Sequence, residues 1–343
     1  MAGRLGVTLA FLVLGLAATA DAGQQISSSP PQNTSQTVKA PANDDCLACH
    51  GDKDAKRESG TSIAVDDKVF AASKHGPLEC VDCHKDLAKV QDFPHPEKLA
   101  KVDCASCHGE EGTKYHDSIH SWAKEKAGLS ASAPACADCH GKHDIRGTDD
   151  KDARVYRANI PATCGTCHQG VLDKYKVGVH ATARAAGNDK APVCADCHTA
   201  HGIQRTDTNS ARLSVAAECG TCHSSVVASF RRTFHGKVTE LGFTQVAACA
   251  DCHGAHDILP ASNPASTVAA ANLVKTCSAC HTGANEQFVK YDPHPNPKDY
   301  ARSPLMWWVN RFYTVLIASC FGFFGLHSLL WFGRSWRDRG SRS

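Results

Sequence analysis

One pattern, Cys-x-x-Cys-His, is written nine times along the chain. Its cysteines are Cys46 and Cys49, Cys80 and Cys83, Cys104 and Cys107, Cys136 and Cys139, Cys164 and Cys167, Cys194 and Cys197, Cys219 and Cys222, Cys249 and Cys252, Cys277 and Cys280. The histidines that follow are His50, His84, His108, His140, His168, His198, His223, His253 and His281. This spacing is the attachment pattern of a c-type haem. Two thiols add to the vinyl groups of one porphyrin, and the adjacent imidazole becomes the proximal ligand of its iron. A zinc ribbon needs paired Cys-x-x-Cys without a His directly after each pair. A thioredoxin-type dithiol occurs once, in an α/β pattern. The nine motifs consume eighteen of 19 cysteines, so no pair remains for a structural disulfide. The expectation is nine covalently bound haems.

A chain of 343 residues would ordinarily hold about two domains. This one has only 12 Phe, 6 Tyr and 5 Trp, many of them in its last forty residues. An ordinary apolar core is therefore not expected. The fold class expected is mostly α and irregular, a multihaem cytochrome with little regular secondary structure, its haems forming the core, plus one C-terminal transmembrane helix. Ligation and haem burial would supply the folding energy and leave the haem-free chain largely unfolded. The formal charge of +2 omits two propionates per haem, so the loaded domain should be acidic. Nothing favours a nucleic-acid partner.

Residues 1–22 read as a secretory signal, with Arg4, an apolar stretch and small residues at Ala18, Ala20 and Ala22. A retained N-terminal anchor is the competing reading, and the apolar run is short for one. Residues 23–43 are rich in Ser, Gln, Thr and Pro and are expected to be a disordered linker. Residues 44–300 form a nonahaem periplasmic domain of four two-haem repeats plus one single-haem half-repeat. First motifs recur every 55 to 60 residues. Segments such as 225–234 are plausible short helices, and residues 62–70 around Asp66-Asp67 suggest a small hairpin.

The sixth ligand of each iron decides between carrier and enzyme. Four aromatic-x4-His elements recur, at His75, His120, His180 and His235. Three second motifs have a His three residues beyond their own, at His143, His201 and His256. The first repeat offers Phe93-Pro94-His95-Pro96 instead, and the half-repeat ends in Asp292-Pro293-His294-Pro295. These nine, His75, His95, His120, His143, His180, His201, His235, His256 and His294, are the candidate distal ligands. His116 occupies no repeated position and is set aside. Axial nitrogens lie on opposite porphyrin faces, so His143, His201 and His256 are expected to serve haems other than their neighbours'. Apart from Met1 the only Met is Met306, so bis-His ligation and low potentials are expected throughout.

Residues 312–332 contain no Asp, Glu, Lys or Arg and are long enough to span a bilayer. Trp307, Trp308, Trp331 and Trp336 flank them as an aromatic belt. The basic tail, residues 333–343, is expected in the cytoplasm, with the haems outside a bacterial inner membrane. His327 within the span is a possible contact for a b-type haem or a quinone shared with a partner; a His satisfied by a neighbouring helix is the alternative.

The recurring Ala-Asp-Cys-His-Gly-x-His-Asp-Ile and aromatic-x4-His elements resemble the multihaem cytochromes of the cytochrome c3-like, doubled Cys-x-x-Cys-His superfamily. The tail, with Phe288-Val-Lys-Tyr-Asp-Pro-His294, Arg302-Ser-Pro-Leu and Phe324-Gly-Leu-His327, resembles that group's membrane-anchored branch. The resemblance implies a haem wire beside a membrane cytochrome b or other quinone-linked subunit, exchanging electrons with periplasmic redox proteins and doing no catalysis of its own. The chain departs from tetrahaem quinol dehydrogenases, which are anchored N-terminally, and from pentahaem nitrite reductases, because Cys-x-x-Cys-Lys is absent. A periplasmic reductase of a nitrogen or sulfur oxyanion, with one open catalytic haem, is the alternative function.

Overall fold

The computed structural model describes residues 39–340. The expected signal, residues 23–38 of the expected linker and the last three residues lie outside the described residues. Between Asn43 and Ser303 the chain is a succession of short helices joined by turns, and one 37-residue helix follows, Pro304–Gly340. Among the described residues there are no β-strands, only an isolated antiparallel bridge between Lys56 and Ser62. The hairpin expected over 62–70 is therefore corrected. Asp66 accepts hydrogen bonds from the backbone N–H groups of Lys68 and Val69 at 3.0 and 3.1 Å. That side-chain cap starts the helix Asp67–Ala71 where a second strand was expected.

The two motif positions in a repeat are built differently. Second motifs sit on one-turn helices, Cys80–Cys83, Cys136–His140, Cys194–His198 and Cys249–His253. Each has Asp before its second Cys, and that carboxylate reaches back to the N–H preceding the helix. The distances are 2.8 Å from Glu79 to Asp82, 2.7 Å from Ala135 to Asp138, 2.6 Å from Val193 to Asp196 and 2.8 Å from Ala248 to Asp251. A helix this short has no cooperative stability of its own, so the cap fixes its start. After the second motifs of repeats two to four the next residue turns left-handed: Gly141 and Gly254 at φ +88° and +78°, and Thr199 at φ 63° in the third repeat.

Most first motifs sit instead near the C-terminal end of a helix, as in Asn209–Cys222, and their His leads into the next helix. The helices Gly109–His116, Gln169–Val177 and Ser224–Phe230 follow, each overlapping its aromatic-x4-His element. Tyr115 and Tyr175 donate their phenolic O–H to the carbonyls of Pro134 and Pro192 at 2.6 and 2.8 Å, tying the element to the second motif of its own repeat. His120, His180 and His235 are each the second residue of a further helix, Ile119–Glu125, Val179–Ala185 and Phe234–Glu240.

Successive repeats are stitched together by the backbone. The N–H of Lys74 donates to Ile145, that of Ile119 to Ile203 and that of Val179 to Ile258, at 2.8, 2.7 and 2.8 Å. Each donor directly precedes a candidate distal His, and each acceptor lies two residues after one in the next repeat. At Gly178 an added Cβ would meet the carbonyl of His256 at 2.8 Å, so the third repeat needs glycine at this crossing. Apolar burial is slight. Among the described residues the buried hydrophobic side chains are Val81, Val193 and four alanines. The long C-terminal helix is long and apolar enough to cross a membrane; it extends beyond 312–332 at both ends, and His327 lies exposed on it.

Candidate haem-binding site

The interior that other proteins fill with side chains is here a cavity of about 5570 Å3. Every motif cysteine and histidine lines it, and so does each of the nine candidate distal histidines. Shared among nine motifs, that is about 620 Å3 each, inside the range of roughly 300–1,000 Å3 typical of a cofactor site.

Across this space the imidazoles face one another in nine pairs. Each joins one motif histidine to one distal candidate: His50 with His95, His84 with His143, His108 with His75, His140 with His201, His168 with His120, His198 with His256, His223 with His180, His253 with His294 and His281 with His235. Ring centroids are 5.8 to 6.4 Å apart. Two imidazoles holding one metal from opposite sides, with metal–nitrogen bonds of about 2 Å and ring radii of about 1.2 Å, stand roughly 6.4 Å apart. Among the described residues no three His, Cys, Asp or Glu side chains converge as a metal site by themselves. The donor set fits a metal whose equatorial positions are filled by a porphyrin, and not a zinc ribbon.

The pairing is crossed. His143, His201 and His256 each face a motif of the preceding repeat. His75, His120, His180 and His235 face the first motif of the following one. Only His95 faces a motif of its own repeat. His116 faces no motif His; it is exposed beside Asp117 and Glu125, at 3.6 and 3.8 Å.

Burial first, and the facing imidazole second, hold His120, His140, His180, His198, His235 and His253 below the ordinary histidine range. A neutral imidazole keeps the lone pair a metal needs. His50 places Nδ1 at 2.7 Å from the Ile63 carbonyl and His95 at 2.9 Å from that of Pro96, which leaves Nε2 of each free for a ligand. His84 has a buried Nδ1 with no protein partner.

The thiols run in an unbroken series. Within repeats, the first thiols adjoin: Cys46 and Cys80, Cys104 and Cys136, Cys164 and Cys194, Cys219 and Cys249. Burial, then Cys46, pushes the Cys80 thiol up to about 11, while hydrogen bonds from Cys164 and Cys219 bring Cys194 and Cys249 down to about 7. Between repeats, Cys83 acts on Cys104, Cys164 on Cys139, Cys222 on Cys197 and Cys277 on Cys252. The order of motifs in space is their order in sequence. The recurring Asp, Ile and Tyr of these elements are visible in the sequence as pattern, whereas their roles as cap, stitch and phenolic tie are shown by the structure.

No protein-family model matches the chain, and no solved structure matches it. It is similar to a high-molecular-weight cytochrome c of Nitratidesulfovibrio vulgaris, 25% identical over 326 residues that cover 81% of this chain and 53% of the relative. The chain thus spans about half the length of the curated relative it matches. The repeated cysteine pairs, the mostly helical and irregular architecture and this distant similarity together fit a multihaem c-type cytochrome.

Proposed function

We propose that the protein is a membrane-anchored, nine-haem electron-transfer cytochrome. It passes electrons between the quinone pool, directly or through a membrane cytochrome b or another quinone-linked subunit, and periplasmic redox partners. The observation that carries this reading is the set of nine facing imidazole pairs in unbroken sequence order. The thioether links are assigned to the eighteen motif cysteines. Each haem iron would be held by one of the nine motif histidines together with one of His75, His95, His120, His143, His180, His201, His235, His256 and His294. Bound there, the haems supply one-electron exchange at low potential, since bis-His ligation lacks the potential-raising thioether of Met.

The chain's own part is positioning. The aspartates of the second motifs fix the one-turn helices that present each thiol pair. Arg157 and Arg212 hold two of those aspartates, Asp196 and Asp251, at 2.8 and 3.2 Å. The Ile145, Ile203 and Ile258 carbonyls fix how each repeat meets the next, and with it the separation between neighbouring pairs. The helix Pro304–Gly340 is assigned as the membrane anchor, with the haem domain outside and the basic end in the cytoplasm. His327 is assigned a place facing the membrane partner.

Low-temperature EPR of the oxidised protein, together with a haem count, tests this. Nine haems per chain with low-spin ferric signals are expected. The paired rings lie at 10° to 47° to one another, eight of the nine nearer parallel than perpendicular, so ordinary rhombic low-spin signals should dominate. A count below nine, or high-spin signal from several haems, overturns the reading.

A further inference from the structure

The nine distal histidines are not held equally. His75, His120 and His180 directly follow an N–H bonded to the next repeat, and His143, His201 and His256 lie two residues before the accepting carbonyl. His235 lies in a helix whose start is capped by Thr233 Oγ1, which accepts from the Gly236 N–H at 3.2 Å. His294 sits between two prolines, yet its N–H donates to Asp292 at 2.9 Å and its Nδ1 lies 3.3 Å from the Ser229 hydroxyl. Asp292 is itself gripped by Arg302 at 2.9 and 3.1 Å.

His95 has none of this. It also sits between two prolines, which remove two backbone donors from the segment. Phe93 stands where the other segment has Asp292, and it is half exposed. Among the described residues, the segment 92–99 makes no backbone hydrogen bond to another repeat. The ring of His95 is held by its own neighbour, the Pro96 carbonyl, and the segment is tied at its end by the Ala100 N–H on Asp86 at 2.7 Å. Across the pair, His50 is firmly placed on the Ile63 carbonyl at 2.7 Å, within the helix Asn43–His50. One side of this iron position is fixed and the other is loosely held.

We infer that the first haem, between His50 and His95, is a ligand-binding site, at which His95 yields its place to a small π-acceptor diatomic such as carbon monoxide or nitric oxide when the iron is ferrous. The bond from iron to His95 Nε2 breaks, its electron pair leaving with the imidazole. A bond from the lone pair of the incoming molecule forms in its place, and no electron changes hands. The swing of a weakly anchored segment opens the position, while the other eight irons stay closed.

This rests on the nine-haem reading above, so the haem count comes first. A protein without haem at the first motif sinks both readings; nine low-spin haems that refuse carbon monoxide sink this one alone. Dithionite-reduced protein is then titrated with carbon monoxide and followed by difference spectroscopy. One molecule bound per chain is expected, and none overturns the proposal. In His95→Ala the count should stay at one, whereas His120→Ala should raise it to two. A count of two in His95→Ala places the labile iron elsewhere and overturns the assignment. Should that variant lose its fold, Phe93→Asp keeps the ligand and supplies an acceptor for the His95 N–H. It should slow carbon monoxide binding at least tenfold, and an unchanged rate overturns the anchoring argument.

Discussion

Two segments of this chain share the pattern Pro-His-Pro and differ one residue earlier, Phe93 in one and Asp292 in the other. Prolines fix φ and deprive the backbone of donors, and the residue directly before each of these histidines is a proline, so neither segment can supply the N–H that Lys74, Ile119 and Val179 give to the stitches elsewhere. In the second segment a carboxylate makes good the loss: Asp292 takes the His294 N–H and is locked by the two-pronged Arg302. In the first, an aromatic ring in the same place offers no acceptor. Asp292 with its Arg302 partner, and the Ser229 hydroxyl 3.3 Å from His294 Nδ1, therefore separate a clamped imidazole from a loosely held one, and the distinction lies in the surroundings more than in the histidines themselves.

The largest effect should come from withholding haem, which removes the difference by removing both segments' order. With so few buried apolar side chains, the haem-free chain should lose most of its helical far-ultraviolet circular dichroism outside the C-terminal helix. A haem-free domain that kept its helices would show that the polypeptide holds both segments unaided. Next, Asp292→Ala should turn the clamped segment into a loose one, raising carbon monoxide stoichiometry in the reduced protein from one to two; a count fixed at one would break the comparison. In the other direction, Phe93→Asp adds a hydrogen bond to a charged acceptor, about 1.5–3 kcal/mol, which is roughly ten- to a hundredfold in carbon monoxide affinity. Backbone conformation elsewhere gives smaller effects. Thr199 has φ 63° and ψ −176°, a conformation nearly restricted to glycine. Thr199→Gly should therefore stabilise the protein by about 1 kcal/mol, and Gly141→Ala should cost about as much, both read from denaturation midpoints. Smallest of all, Tyr175→Phe should cost about 1 kcal/mol or less through its lost bond to Pro192.

Much of the architecture was legible from residues because the motif is local: five positions state the chemistry, and recurrence marks the repeats. Six of the nine candidate distal histidines stood out because they recur at a fixed distance from a motif, whereas His75, His95 and His294 do not, and the structure sets all nine across from motif histidines. Which imidazole faces which was only half legible. Opposite porphyrin faces forbid His143 from serving the iron of His140, but that it faces His84 depends on how one repeat docks on another, and the Lys74–Ile145 bond that sets this docking joins residues 71 apart. The misplaced hairpin at 62–70 has a local cause, since Ile63 and Val65 favour strands while the Asp66 cap favours a helix and prevails. The C-terminal helix was visible as an apolar run, but its start at Pro304 was not, because Asn310 and Arg311 interrupt the apolar run without interrupting the helix.

Under the proposed ligation, the crossed pairing also imposes a timetable on assembly. A chain made from its N-terminus has already presented His75 when His108 arrives, and likewise His120 before His168, His180 before His223 and His235 before His281. The other five motif histidines must wait: His84 for His143, His140 for His201, His198 for His256, His253 for His294 and His50 for His95, delays of 41 to 61 residues. Maturation then alternates between sites that close on arrival and sites that stand half-built until the next stretch of chain appears. A truncated product therefore ends in an iron position lacking its second imidazole whenever the cut falls inside one of those intervals.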